Sequence, residues 1–411
     1  MLDYGVRFFD YGVLYSDINV LGNYVYPYPP VFNFLSVFFM FIFGKSLAAG
    51  RLLSFLASLS CGFVLFRIVK RSTGDSVNAM VFSLLFYTSP FVFLWSPLYR
   101  VDLLALLFSL CGVYFVLASR RGILLPASFF VLAFYTKQSF LAAPLAVFLY
   151  YFFADRGFSL RFFSVYLFFV SALFVLVNTL TSGQFFLHIV TYNMNRFSFS
   201  TGLFWVAFFL LLHLPLSLSS LLGFLRYKFS VLSFYLGLAV LFSFSVGKNG
   251  AYINYFIEPF ALMVIIASTV FRGKAVYRFL LVVSCILFFA ASYPLVDTFD
   301  LSPARVDGFK GLVALLNSSK GDVLSEDSYL ALTAGKKVVF QPQWSAEAEY
   351  FGFWNSSNIV DACNARDFSV IVRFAAGVSF RPFPGLIKCI QANYNKTTEF
   401  NVSGVKYEVY Q

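Results

Sequence analysis

Between residues 31 and 296 the chain alternates long apolar runs with short polar turns. A helix that crosses a bilayer needs about 20 residues, and on that measure about ten crossings are expected. They fall near 50–69, 77–97, 101–119, 122–136, 138–154, 162–181, 201–225, 229–247, 254–271 and 277–296. Residues 31–44 are apolar but short, and read as an interfacial or re-entrant helix closed by Gly44. After Pro294 the pattern changes to that of a water-soluble domain. Short β-rich runs (Asp322–Leu324, Lys337–Phe340, Ser369–Arg373, Val405–Val409) alternate with helical patterns over 307–318, 326–334 and 345–352. The expected fold is an α-helical polytopic membrane protein with a small C-terminal α/β domain. Its parts are an outer loop with the interfacial helix (1–49), a transmembrane helical domain (50–296) and the α/β domain (297–411).

Charge gives this pattern a direction. Five basic clusters, Arg67–Arg71, Arg120–Arg121, Arg156–Arg161, Arg226–Lys228 and Arg272–Arg278, sit between apolar runs, and the connections between them hold far fewer cations. The positive-inside rule puts these clusters in the cytoplasm. Residues 1–49, the turns at Trp95–Asp102, Lys137 and 247–254, the loop 182–200 and all of 297–411 then lie outside a cell membrane. With 60% hydrophobic and only 12% charged residues, the chain has too little polar surface for a soluble protein. The net charge of +11 belongs mostly to the basic clusters, so anionic lipid rather than nucleic acid is its partner.

Cys61, Cys111 and Cys285 lie in apolar runs as small core residues, whereas Cys363 and Cys389 could pair if the C-terminal domain meets an oxidising space. That domain also carries N-x-[ST] sequons at Asn317, Asn355, Asn395 and Asn401.

Ionisable residues at membrane depth or at its outer rim are candidates for function. Asp3, Asp10 and Asp17 alternate with Tyr4, Tyr11 and Tyr15 in the opening, which otherwise reads as a solvated tail. Arg100 and Asp102 mark the outer end of a crossing, where they either anchor it by snorkelling or face a cavity. Lys137, between two short apolar segments, either caps a turn or offers a cation to phosphate. Lys248 precedes Asn254, Tyr255 and Glu258, and a carboxylate one turn into a crossing needs a partner. His188 and His213 have no ligand spacing and read as structural or rim residues. No Walker motif points to ATP-driven work, and no internal repeat points to a transporter.

The stretches Tyr4-Gly5-x-Arg7-Phe8-Phe9-x-x-Gly12-Val13-Leu14-Tyr15-Ser16-Asp17, Tyr28-Pro29-Pro30 and Phe43–Ser54 resemble the opening of GT-C glycosyltransferases. These include the protein O-mannosyltransferases and the aminoarabinose–lipid A transferases. Arg100-x-Asp102-Leu103-Leu104, Phe134–Gln138 and Asn254-Tyr255-Phe256-x-Glu258 are similar to later landmarks of the same group.

The resemblance covers roughly residues 4–300. It implies transfer of a sugar from a polyprenyl-phosphate donor, outside the cytoplasm, to a protein, lipid or glycan acceptor. The family's catalytic acid usually precedes the Tyr-Gly-x-Arg stretch, which places it and a first helix upstream of Met1. Within the chain Asp3 is the substitute, with Asp10 and Asp17 behind it. A carboxylate takes the acceptor's proton. Lys137, Arg100 and Lys248 stabilise the departing phosphate, Asp102 orients a cation or the acceptor, and the first-loop tyrosines, Tyr28 among them, stack on sugar. Outer carboxylates could also hold a divalent cation, although a phosphate leaving group does not require one. The alternatives are a transporter or flippase for an amphiphile, and an inactive relative that only binds lipid-linked sugar.

Overall fold

The computed structural model describes residues 1–411 except 120–121, 227–228, 272–274, 276–277, 280, 284–285, 287–289, 291–302, 378 and 403. In chain order the first helices are α1 (Leu2–Tyr11), α2 (Val31–Phe43), α3 (Leu47–Thr73), α4 (Ser76–Leu85), α5 (Pro90–Trp95), α6 (Asp102–Ala118), α7 (Leu124–Thr136), α8 (Ala142–Ala154) and α9 (Arg156–Leu180). Then come α10 (Gln184–Phe186), α11 (Phe199–Leu212), α12 (Leu214–Arg226), α13 (Val231–Ser243) and α14 (Ile257–Val270). The C-terminal part holds α15 (Pro303–Ser318), β1 (Asp322–Ser325), α16 (Ser328–Thr333), α17 (Pro342–Tyr350), α18 (Ser357–Asn364), β2 (Phe368–Phe374), α19 (Pro384–Asn393), β3 (Lys396–Val402) and β4 (Val405–Tyr410).

These elements form two compact units. The first takes residues 28–177 and 196–296, and the second takes 2–27, 178–195 and 297–411. The outer loop expected over 1–49 is thus divided: its first part packs with the C-terminal sheet, and α2 packs with the helices.

Among the described residues of the first unit, three helices are long and apolar enough to cross a membrane: Leu47–Thr73, Arg156–Leu180 and Ile253–Val270. The pair α11 and α12 makes a fourth if it is one span, although it bends by 93°. The bend falls at His213, just before Leu214-Pro215, where proline has no N–H for the helix ladder. Buried His213 sits at the corner, its Nδ1 3.0 Å from Phe209 O and its Nε2 3.2 Å from Ser89 Oγ. Five further expected crossings appear as apolar helical stretches of 10–17 residues, so spanning length is not established for ten. The expected crossing at 277–296 lies mostly outside the described residues.

Helix α2 forms where the interfacial helix was expected and is followed by Gly44 at φ +73°. The side chains of Phe34, Phe38, Phe41 and Ile42 are exposed along it, which suits lipid.

Helix α6 has different partners at its two ends. Near its C-terminus, Arg67 donates to Tyr114 Oη (2.7 Å) and Arg71 to Leu117 O (2.8 Å). Just past α3, Arg278 pairs with Asp75 at 3.1 Å. The Arg67–Arg71 cluster and Arg278 therefore lie at the end of the helical unit opposite Asp102, the first residue of α6.

In the second unit the sheet runs β1-β2-β4-β3, with β1 and β2 parallel and the other neighbours antiparallel. One face buries Val323, Val370, Val372 and Val409 against Leu312, Leu316 and Leu330. Leu324 and Ile371 join a second core with Phe380, Leu386 and Ile390. That second core also takes in Ile18, Val25 and Tyr192, so the opening residues are built into this domain rather than trailing as a tail. Cys363 and Cys389 form a disulfide between α18 and α19, with Cα atoms 6.3 Å apart.

Candidate active site

In the helical unit, α6 starts at Asp102 and buries its carboxylate. Three donors reach it. Lys137 Nζ and Asn254 Nδ2 each lie 2.7 Å from Oδ1, and Trp95 Nε1 lies 3.0 Å from Oδ2. Each donor comes from a different turn: the end of α5, the residue after α7, and the turn leading into α14. A buried carboxylate is costly unless hydrogen-bonded and paired, and this one is both.

Lys137 is only 3% exposed. Its ammonium lies 4.3 Å from the Tyr255 ring centroid and 5.6 Å from that of Phe140. Phenolic Tyr28 and the Glu258 carboxylate are within electrostatic range of the same ammonium. Lysine has three N–H donors and Asp102 takes one of them, so the cation can still meet a further anion.

Arg100 stands two residues before Asp102 and is exposed, with its guanidinium 5.8 Å from the Trp95 ring centroid. Its turn is pinned to α3: Ser54 Oγ donates to Arg100 O at 3.0 Å, and Arg100 N lies 3.2 Å from Ser54 Oγ. One turn earlier on α3, an added Cβ on Gly50 would lie 2.1 Å from the Tyr99 ring, so only glycine admits that ring there.

The structure thus brings Asp102, Lys137, Asn254 and Tyr255 together in contact, with Tyr28 nearby. Glu258 makes its own buried pair, accepting from Tyr235 Oη at 2.7 Å. Lys248 is exposed, and its residue pairs by backbone with Phe197. Among the described residues no contact ties it to the cluster. Trp95 was not singled out from sequence, although it lies in the turn assigned to the outer side.

In the second unit, Asp3 is buried and accepts from the Gln341 side-chain amide. Tyr4 Oη is 2.7 Å from Gln341 Oε1 and 2.8 Å from Val25 O. Asp10 is exposed. Asp17 is also exposed and accepts from the backbone and side-chain nitrogens of Asn19 at 3.0 and 2.9 Å. Sugar stacking by the first-loop tyrosines does not fit Tyr4, Tyr15, Tyr24 and Tyr26, which are all buried. They pack on each other and on Phe185 because the loop needs an apolar core of its own. Tyr28 stays half-buried.

His188 holds the same loop in place. It lies on a single wide turn over Leu187–Thr191. Its Nδ1 accepts from Tyr26 N at 2.9 Å, and its Nε2–H faces Ser16 O at 2.9 Å. Burial lowers its pKa to about 4, so it is neutral at pH 7. Among the described residues no group of three or more His, Cys, Asp or Glu is gathered as a metal site.

The chain shares its fold with ArnT from Cupriavidus metallidurans. Crystal structures of that protein bound to undecaprenyl phosphate and in the apo state each give a TM-score of 0.66 at 13% identity. Each comparison covers 99% of this chain and 92% of the other. Residues 28–181 match the sequence family described as dolichyl-phosphate-mannose-protein mannosyltransferase. No curated protein matches the chain by sequence.

Proposed function

We propose that the chain transfers a sugar from a polyprenyl-phosphate carrier to an acceptor hydroxyl at the extracytoplasmic face of the membrane. The observation that carries this reading is the buried Lys137–Asp102 pair, held by Asn254 and Trp95. A buried ion pair seldom stabilises a fold more than apolar residues of the same size would, so its presence calls for another use. A desolvated ammonium with N–H groups to share is suited to a phosphate.

In the reaction the acceptor oxygen attacks the anomeric carbon. The bond from that carbon to the phosphate oxygen breaks, and the electron pair leaves with the lipid phosphate. Lys137 and the exposed Arg100 stabilise the developing charge, and Asp102 orients Lys137. The acceptor's proton goes to a carboxylate, and Asp3, Asp10 and Asp17 are each tested for that role. The match of residues 28–181 to a mannosyltransferase family and the fold shared with a protein crystallised with undecaprenyl phosphate both support a lipid-linked donor.

The test is sugar release from a radiolabelled polyprenyl-phosphate sugar in membranes carrying the full chain. Lys137→Ala and Asp102→Asn should each lower turnover at least 100-fold while the protein stays in the membrane. Turnover equal to the unmodified chain in both would remove the site assignment. Separate Asp3→Asn, Asp10→Asn and Asp17→Asn variants identify the base.

A further inference from the structure

We propose that the C-terminal domain is itself modified, with N-linked glycans on Asn317, Asn355, Asn395 and Asn401. This goes beyond the transferase reading and stands independently of it. It rests instead on the domain facing the outside.

The first observation is where the sequons fall. The chain has nine asparagines in residues 1–304 and none of them opens an N-x-[ST] sequon, whereas four of the seven in 305–411 do. The sequons are thus confined to the C-terminal domain, one of the segments expected outside.

The second is what the side chains do. All four sequon asparagines are exposed. The glycosylated atom is Nδ2, and in none of the four does Nδ2 donate a hydrogen bond among the described residues. Asn355 and Asn401 use only Oδ1, which accepts from Ser357 N at 3.1 Å and from Gly404 N at 3.0 Å. Several asparagines outside sequons do use theirs, although among the described residues Asn33 does not. The Nδ2 groups of Asn23, Asn78, Asn193, Asn254, Asn358 and Asn393 each hold a structural partner at 2.7–3.2 Å.

The third is placement. Asn395 precedes β3 and Asn401 lies within it, and β3 is an edge strand of the sheet. On the face of β3 and β4 that carries Glu399 and Asn401, the side chains form a ladder of charges, Lys396–Glu399, Lys396–Glu408 and Lys406–Glu399. That face is open to water and leaves room for a glycan. The Cys363–Cys389 disulfide places the same domain in an oxidising space, where such glycans are attached.

The modification joins Nδ2 to the anomeric carbon of an oligosaccharide. Nδ2 loses a proton and the sugar's lipid-phosphate carrier departs. The donor is a lipid-linked oligosaccharide, and a separate oligosaccharide transferase supplies the catalysis.

The experiment is peptide mass spectrometry, without reduction, on the full chain purified from its native membranes. The four sequon peptides should carry hexose-containing additions, and exposed Asn364, which has no sequon, should stay bare. Ser357→Ala and Thr397→Ala should each remove one addition and leave the others. Bare sequon peptides with Cys363 and Cys389 joined would overturn the proposal. Bare peptides with both thiols free would overturn it together with the outside placement. Neither result bears on sugar-donor turnover, which is measured separately.

Discussion

At Asp102 two carboxylate oxygens meet three donors, and the functional and structural roles of the pair can be separated there. Removing one partner leaves an uncompensated buried charge, which costs about 3–5 kcal/mol. Lys137→Met and Asp102→Asn should therefore each lower the Tm of the detergent-solubilised protein. The double variant Lys137→Met/Asp102→Asn removes both charges and should recover most of that stability. If the pair serves the reaction, the double variant stays inactive although it is stable. A double variant that regained both stability and turnover would make the pair merely structural.

The sequence marked Asp102, Lys137, Asn254 and Tyr255 because ionisable and amide groups at helix ends are conspicuous against 60% hydrophobic residues. It could not mark Trp95, because one aromatic among 87 Phe, Tyr and Trp carries no signal of its own. Nor could it reveal Gln341 as the partner of Asp3, since the two are 338 positions apart. Lys248 looked like Lys137 in sequence, and only packing separates an exposed cation from a buried one.

At the scale of elements, two contacts hold the candidate groups in position. Gly50 and Ser54 lie one turn apart on α3. Gly50 admits the Tyr99 ring, and Ser54 pins the backbone of Arg100. Gly50→Ala must displace the ring, at about 1–3 kcal/mol for overpacking. The displaced turn carries Arg100 and Asp102 with it, so turnover should fall even though residue 50 touches neither side chain. A Gly50→Ala protein with unchanged Tm and turnover would show that the turn is set elsewhere.

His188 gives the second contact, between 184–192 and the opening loop. Its folded pKa of about 4 lies below the ordinary value of 6.5, so the unfolded state binds the extra proton first. The stabilisation is complete above pH 6.5 and is lost as pH falls towards 4, by about 3 kcal/mol in all. Hydrogen exchange at the Tyr26 amide should speed up between pH 6.5 and 5, after correction for the intrinsic rate. That window lies above the ordinary range of carboxylates. His188→Gln should remove the pH dependence, and a dependence that survived it would assign the effect to another group. Sequence gave no hint of this contact beyond a histidine without ligand spacing, because its partners are backbone atoms of residues 16 and 26.

At the scale of the whole molecule, helix length was the least legible feature. A positive-inside pattern depends only on counting cations, whereas the crossing expected over 77–97 meets Ser89-Pro90 and is divided into α4 and α5. The crossing expected over 201–225 likewise turns at His213, two residues before Pro215. Hydropathy does not register such breaks, because proline interrupts the backbone ladder without making the segment more polar.

The cation pattern makes a prediction about sidedness. Arg67 and Arg71 bind the C-terminal end of α6, and Asp102 and its donors occupy the N-terminal end. If the first end is cytoplasmic, the second faces outside. In a background with Cys61, Cys111 and Cys285 replaced, and with the disulfide left intact, single cysteines at exposed positions read this directly. Asn249→Cys, and Asp361→Cys in the C-terminal domain, should react with a membrane-impermeant maleimide in intact cells. Lys70→Cys should react only after permeabilisation. Label at residue 70 in intact cells, with residues 249 and 361 protected, would turn the molecule over and place the Lys137–Asp102 site in the cytoplasm. It would then be open to nucleotide-activated sugars instead of lipid-linked ones.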